Sequence, residues 1–238
     1  MKIAICTPCY GDVTAQFAYS LAKLVQRTVT TQLSFNEETV FPTVELFMRS
    51  SSVLPQLRNM LVKDAIVWGA NYLLWLDSDQ SFPDEALLRL LSLNLPVVGV
   101  NYPRRVPPHS PTAVGLDGKL VYTTEGAARA NEIVPVQSMG FGCCLISMPI
   151  LDQLQQRAVE TGRSSIWPLF AVEMVGDGSE IVGEDVFFFR LLQDAGIPVH
   201  LDQALSWSIG HVHQRVAMNS DVAPNETVDS ASASRISF

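Results

Sequence analysis

Tyr72-Leu73-Leu74-Trp75-Leu76-Asp77-Ser78-Asp79 is the stretch from which the rest of this chain can be read. A run of large apolar residues with no polar break is the pattern of a strand buried on both faces. Such strands belong to α/β sheets, whose ligands gather at the carboxyl ends. Two carboxylates one residue apart arrive at that end, on a turning backbone. Oxygen donors so placed suit Mg²⁺ or Mn²⁺, ions that usually also hold phosphate groups. A turn that merely caps the next helix is the competing reading. The unbroken apolar run into Asp77 favours a site.

Outward from this strand, Lys2–Thr7 reads as a first strand and Val13–Thr28 as an amphipathic helix capped by Asp12. Thr43–Met48 alternates like a strand, and Leu54–Trp68 carries Leu54, Leu57, Leu61, Ala65 and Trp68 at helical spacing. Pro83-Asp84-Glu85 opens another helix, with proline in the first turn and acids at its positive end. Pro96–Val100 is a further short strand. This alternation implies a mostly parallel sheet with helices on both faces.

After Tyr102 the pattern changes. Pro103, Pro107, Pro108, Pro111, Gly115 and Gly118 punctuate loops, with short antiparallel strands expected at Thr112–Gly115 and Lys119–Tyr122. Strand Cys143–Ser147, a helix from Pro149 to about Glu160, helix Glu184–Ala195 and an extended segment His200–Ile209 complete the reading. The expectation is one α/β domain over residues 1–216, divided into halves 1–102 and 103–216, with a small antiparallel element in the second. Residues 217–238, polar and without periodicity, read as a disordered tail.

Hydrophobic content of 47% and charged content of 17% describe a globular chain. The net charge of −8 argues against a general nucleic-acid binder, which carries a basic face. Neither a secretory signal nor a run of about eighteen apolar residues is visible, so the sequence reads as cytosolic. Cys6-Thr7-Pro8-Cys9 resembles a redox motif, but Tyr10-Gly11-Asp12 delays the helix that motif requires. The adjacent Cys143 and Cys144 are poorly placed to share a zinc ion.

Four separated features could converge on one site. The first is Thr7-Pro8-Cys9-Tyr10, where a base or ribose could lie against Tyr10; the second is Asp77-Ser78-Asp79. Gly183-Glu184-Asp185 places two acids at a helix start, where they also serve as dipole partners. Gly210-His211-Val212-His213 would put both imidazoles on one face of a strand. Each feature is weak or moderate alone.

In order and spacing, these features together with Arg58-Asn59 and Gly140-Phe141-Gly142 resemble a compact nucleotide-sugar glycosyltransferase of the GT-A fold, similar to family 2. The resemblance covers roughly residues 1–213. It implies a nucleoside-diphosphate-sugar donor, UDP-linked in the leading reading, and Mn²⁺ or Mg²⁺ as the cofactor that neutralises the departing diphosphate. By that resemblance Asp79 and His211 ligate the metal, while Asp77 holds the metal or the ribose hydroxyls. Asp185 is the general base of an inverting reaction, and Glu184 orients the acceptor or the helix end. Thr7, Pro8, Tyr10, Arg58 and Ser78 fall on the donor side, with Gly140, Phe141 and Gly142 letting backbone approach the sugar. Arg104 and Arg105 are weaker candidates for the diphosphate.

Two departures stand out. Gly11-Asp12 follows the opening motif where a polar residue such as Asn is usual, and no separate acceptor domain follows the Glu-Asp helix. The acceptor is therefore open among glycan, lipid-linked and protein hydroxyls. A partner protein or a membrane surface is left to complete its site, and homo-oligomerisation is left open. A nucleotidyltransferase is the rival enzyme, disfavoured by the lack of a basic phosphate loop after the first strand. The non-enzymatic rival is a silent nucleotide-binding scaffold.

Overall fold

Short apolar runs in this chain pair into sheets, and the stretches with one apolar stripe wind into helices over them. The structure, a computed structural model, describes residues 1–105 and 109–212. In chain order the elements are β1 (Lys2–Cys9), α1 (Ala15–Thr30), β2 (Leu33–Phe35), β3 (Glu38–Val40), β4 (Thr43–Ser50), α2 (Leu54–Trp68) and β5 (Tyr72–Leu76). Then come β6 (Gln80–Ser81), α3 (Ala86–Ser92), β7 (Val97–Gly99), β8 (Val114–Gly115), α4 (Glu125–Arg129), β9 (Ile133–Ser138) and β10 (Cys143–Ser147). The last are α5 (Ile150–Glu160), β11 (Glu173–Val175), β12 (Glu180–Val182), α6 (Glu184–Asp194), β13 (Val199–Asp202), α7 (Gln203–Ser208) and β14 (Gly210–His211).

The main sheet has eight strands in the order β4-β1-β5-β10-β7-β13-β9-β8. β1 runs parallel to β4 and β5, and β13 parallel to β7. β10 opposes β5 and β7, while β9 opposes β13 and β8. Strands β4, β1, β5, β7, β13 and β8 thus share one direction. The mixed, mostly parallel sheet and its small antiparallel pairs match the architecture read from the sequence.

Alternation along the strands divides the core into two layers. Ala4, Cys6, Leu73, Trp75, Cys144 and Ile146 face α2, α5 and α6, meeting Leu61, Leu154 and Phe188. Ile3, Ile5, Leu74, Leu76, Cys143 and Leu145 face α1, α3 and α7, meeting Phe17, Leu87 and Leu205. With both faces covered, the central strands tolerate no polar break, which is why β5 is continuously apolar.

Several expectations need correction. The cap of α1 is Thr14, not Asp12: the Thr14 hydroxyl accepts from the Phe17 amide at 3.1 Å. The segment 200–209 is not extended throughout. Asp202 ends β13, and its Oδ1 accepts from the Leu205 amide at 3.0 Å, starting α7. Arg89 holds the same carboxylate with both ends of its guanidinium, so the cap is fixed in place. The β2–β3 and β11–β12 hairpins and α4 were not expected. Asn36 and Glu37 turn the first hairpin at φ 51° and 67°, a left-handed pair without the glycine that usually announces it. His213 and the tail 217–238 lie outside the described residues.

Candidate functional site

β4, β1 and β5 end together, Cys9 lying beside Ser50 and Cys6 beside Trp75. Their carboxyl ends open a cleft of about 210 Å³. Pro8, Cys9 and Tyr10 form one wall, Ser51, Ser52 and Leu54 a second, and Arg105 with His211 a third. Arg58 and the Asp77–Asp79 turn make the floor. Tyr10 is 84% exposed at the rim, as a stacking surface requires. Thr7 is buried in β1 beneath this wall and does not line the cleft.

The turn is built by hydrogen bonds from four directions. The Gln80 amide donates to the Asp77 carbonyl at 3.1 Å, and the Asp77 amide to the Gly142 carbonyl at 3.2 Å. The Thr14 amide donates to the Ser78 carbonyl at 3.3 Å, tying the start of α1 to it. The Val212 amide donates to the Asp79 carbonyl at 2.7 Å, and β14 pairs with β6 so that His211 lies opposite Gln80. This two-residue ladder carries His211 across more than a hundred residues of chain to Asp79.

The two aspartates meet different cations. Arg58, on α2, is 3% exposed and lies with its guanidinium 5.0 Å from the centres of both the Trp75 and Phe141 rings. Its Nη2 donates to Asp77 at 3.1 Å and its Nε to Glu184 at 3.4 Å. Burial works against its charge, but the Asp77 and Glu184 carboxylates outweigh burial and raise its pKa. Its Nη1 is buried without a hydrogen-bond partner. The residue is therefore neither a surface helix arginine nor an exposed donor clamp. It is a buried cation joining β5 to the start of α6.

Asp79 faces His211 Nε2 at 3.4 Å and Arg105 Nη1 at 3.0 Å. His211 Nδ1 lies 3.0 Å from the Pro103 carbonyl, which can only accept, so Nδ1 carries the proton. Burial lowers the His211 pKa, but the Asp79 hydrogen bond and the Pro103 carbonyl more than compensate and raise it. Burial likewise raises the Asp79 pKa, and the His211 contact together with the Arg105 charge brings it below the ordinary value.

Among the described residues no three His, Cys, Asp or Glu side chains gather as a ready metal cage. Two of the three predicted ligands, Asp79 and His211, do touch, whereas the third, Asp77, is engaged by Arg58. The pair still fits a hard divalent ion. Mg²⁺ commonly takes one or two protein ligands and fills its remaining positions with water and phosphate oxygens. A neutral His211 would point its Nε2 lone pair at a carboxylate, and only a proton or a cation between them makes that contact favourable. The Nδ1–H bond to a backbone carbonyl is the usual support of a metal-binding histidine.

Gly183 caps α6, whose Glu184 reaches back to Arg58. Asp185 is half-buried and its Oδ1 accepts from the Val186 amide at 2.7 Å. Aromatic packing fixes this helix: Phe188 stacks on Phe170 at 4.9 Å and Phe189 on Phe141 at 5.1 Å, with Trp75 edge-on to Phe141. Phe141 is thus a core side chain beneath the cleft, not a donor contact. Its flanking glycines admit Tyr102 in place of a sugar: a Cβ at Gly140 or Gly142 would stand 2.2 or 2.6 Å from the Tyr102 side chain. The Gly142 amide donates to the Tyr102 hydroxyl at 3.0 Å. Asn59, next to Arg58, serves structure by holding the backbone of Leu169 and Phe170.

Sequence reasoning passed over Ser51, Ser52 and Tyr102. The run Ser50-Ser51-Ser52 at the end of an alternating strand was the available signal for the first two. Tyr102 had none, because its role depends on glycines about forty residues away. All four cysteines are free and buried, and burial pushes the Cys143 thiol up to about 12. That environment disfavours the thiolate redox chemistry needs.

No protein-family model matches the chain, and no curated protein does. Among solved structures it is similar to A197 from STIV, with a TM-score of 0.52 and 13% identity, covering 92% of this chain and 97% of that one. It is also similar to S. aureus TarS 1–349, at TM-score 0.41 and 11% identity over 89% of this chain. The chain spans 60% of the length of TarS 1–349, and that second likeness is too distant to carry an argument. At such identities the likeness is one of fold, and the architecture is GT-A-like.

Proposed function

We propose that this chain is a glycosyltransferase, moving a sugar from a nucleoside-diphosphate sugar, most simply a UDP-sugar, to an acceptor hydroxyl. Asp79 and His211 would hold the Mn²⁺ or Mg²⁺ that neutralises charge on the leaving diphosphate. The observation that carries the reading is the Asp79–His211 contact, with Nδ1 pinned by Pro103 and Nε2 turned to the carboxylate at 3.4 Å. The surrounding residues support it. Tyr10 offers a base or ribose an exposed ring, and Ser51 and Ser52 offer hydroxyls along the same cleft. Arg58 Nη1, a buried donor without a partner at the floor, suits a diphosphate oxygen. Asp77, already paired with Arg58, would turn its remaining oxygen to the ribose hydroxyls or the metal.

Asp185 is assigned the acceptor proton. It stands in the first turn of a helix anchored by stacked phenylalanines, which hold the carboxylate in place. The first test is a panel of nucleotide sugars scored for Mn²⁺-dependent thermal stabilisation and for release of nucleoside diphosphate. Stabilisation without release from any donor and acceptor would favour a silent scaffold. The second is D185N. Retained donor binding with at least about a hundredfold slower transfer supports the general-base role. Near-normal specific activity removes Asp185 from catalysis, and preserved anomeric configuration in the product points to a retaining reaction.

A further inference from the structure

A second cleft, of about 310 Å³, opens beside the first between the ends of β7 and α7. Its size sits at the lower end of small-ligand sites, roughly 300–1,000 Å³, enough for one or two sugar rings. From this cleft we infer that the chain binds a neutral saccharide acceptor through Tyr122 and Trp207, an inference that rests on the transferase reading for the word acceptor alone.

Three observations support the assignment. Tyr122 and Trp207 both line the cleft yet are 68% and 55% exposed, two large aromatic faces left open to water in one place. The C–H bonds on the face of a pyranose carry partial positive charge, which suits the negative face of an aromatic ring. Beside them stand the Ser110 and Thr123 side chains and His109, whose Nδ1 is taken by the Arg104 carbonyl at 2.7 Å. His109 Nε2 is thereby left to accept from a sugar hydroxyl. Finally, no Asp, Glu, Lys or Arg is among the described residues lining the cleft. Among the described residues the lining thus offers no countercharge to a phosphorylated lipid carrier or a charged peptide, whereas a neutral sugar needs none.

The cleft is also built to hold its shape. Asn101 is buried at its floor and spends its side chain on the walls: Nδ2 donates to the Val121 carbonyl at 2.7 Å, and Oδ1 accepts from the Thr112 and Ala113 amides at 3.0 and 3.1 Å. Its own amide donates to the Ser206 hydroxyl at 2.9 Å, fixing α7 and with it Trp207. The neighbouring residues are shared with the first site. Pro103 lines this cleft and holds His211 through its carbonyl, and Tyr102 lines it while packing edge-on to the His211 ring at 5.4 Å. A sugar seated here lies one residue layer from the Asp79–His211 pair.

Saturation-transfer NMR with neutral disaccharides and oligosaccharides, metal and nucleotide omitted, tests the inference. At least one saccharide is expected to receive saturation on its ring C–H protons. W207A and Y122A should each weaken it about tenfold, the size of one aromatic contact, while W207F should retain it. D79N should bind it normally. Absence of binding to every neutral saccharide, or binding that W207A leaves unchanged, would overturn the proposal. So would displacement of the saccharide by UDP-hexose alone, since the cleft would then take the donor sugar. Saccharide binding that persists while no nucleotide sugar is ever consumed would uphold the cleft and remove the transferase reading.

Discussion

Asp77 and Asp79 leave the same strand one residue apart, yet they occupy two electrostatic environments. Asp77, itself 26% exposed, belongs to a cluster whose cation is dry: its arginine is 3% exposed, lies between two aromatic rings and also carries Glu184. Asp79, 21% exposed, belongs to one whose second cation is wet: beside a histidine that can lose its proton stands an Arg105 side chain that is 53% exposed. The first cluster cannot exchange its cation without exposing the core. In the second, the exposed Arg105 can leave at little cost, while His211 stays held by the Pro103 carbonyl and the β6–β14 ladder. Spacing alone makes the two acids look equivalent; their partners set one against a buried arginine and the other against a histidine and an exposed arginine.

The largest expected effect comes from breaking the dry cluster. R58M keeps the packing against Trp75 and Phe141 but leaves Asp77 and Glu184 uncompensated, and should cost roughly 3–5 kcal/mol in denaturant unfolding. R58K should not restore it, since lysine lacks the fork and the flat stacking surface. The triple replacement R58M/D77N/E184Q removes both signs of charge together and should recover much of the loss. If R58M alone is nearly neutral, Arg58 does not hold Asp77 and Glu184 together.

Next is the wet side. D79N should fold normally and lose the Mn²⁺-dependent stabilisation by nucleotide sugar, a term of about 2.7 kcal/mol at a ligand concentration of a hundred times Kd. Wild-type Mn²⁺ response in D79N would erase the distinction between the two aspartates.

A smaller effect is expected from pH. The folded His211 pKa lies above its ordinary 6.5, so its contribution is fully present below 6.5 and fades as pH rises through the raised value. The folded Asp79 pKa lies below its ordinary 3.8, so its contribution is present above 3.8 and fades as pH falls through the depressed value. Without metal, the pair should stabilise most between those limits. With Mn²⁺ the dependence on His211 should reverse, because a metal ligand must be unprotonated. Melting curves of wild type and H211Q from pH 5 to 8.5, with and without Mn²⁺, read both slopes. Parallel curves would remove His211 from the site.

The smallest effect belongs to Arg105. Its exposed pair with Asp79 is worth roughly 0–1 kcal/mol, so R105A should leave the unfolding midpoint almost unmoved. If the guanidinium stands in for a cation, R105A should bind Mn²⁺ at least as well as wild type. A large drop in stability would place Arg105 with the dry cluster.

Much of the fold was legible because burial on both faces leaves a coarse mark. Helix α2 and strands β5 and β10 fall on the expected residues, Leu54–Trp68, Tyr72–Leu76 and Cys143–Ser147. Segments turned by one or two residues were not legible. Asp202 turns a strand into a short helix by capping Leu205, and Asn36-Glu37 make a hairpin turn without glycine. For the candidate site, the sequence supplied the residue types: two acids at a strand end, an acidic pair opening a helix and a late histidine.

Which groups meet was decided by long-range pairing that composition does not encode. The β6–β14 ladder brings His211 to Asp79, and burial of Arg58 commits Asp77 to a salt bridge. The ring of Tyr102 fills the space that Gly140 and Gly142 leave open. Hydrophobic periodicity is a property of neighbouring residues and survives in the one-dimensional text. The partner of a charge is chosen among side chains tens to hundreds of residues away, by which of them the packed sheet brings within about 3 Å.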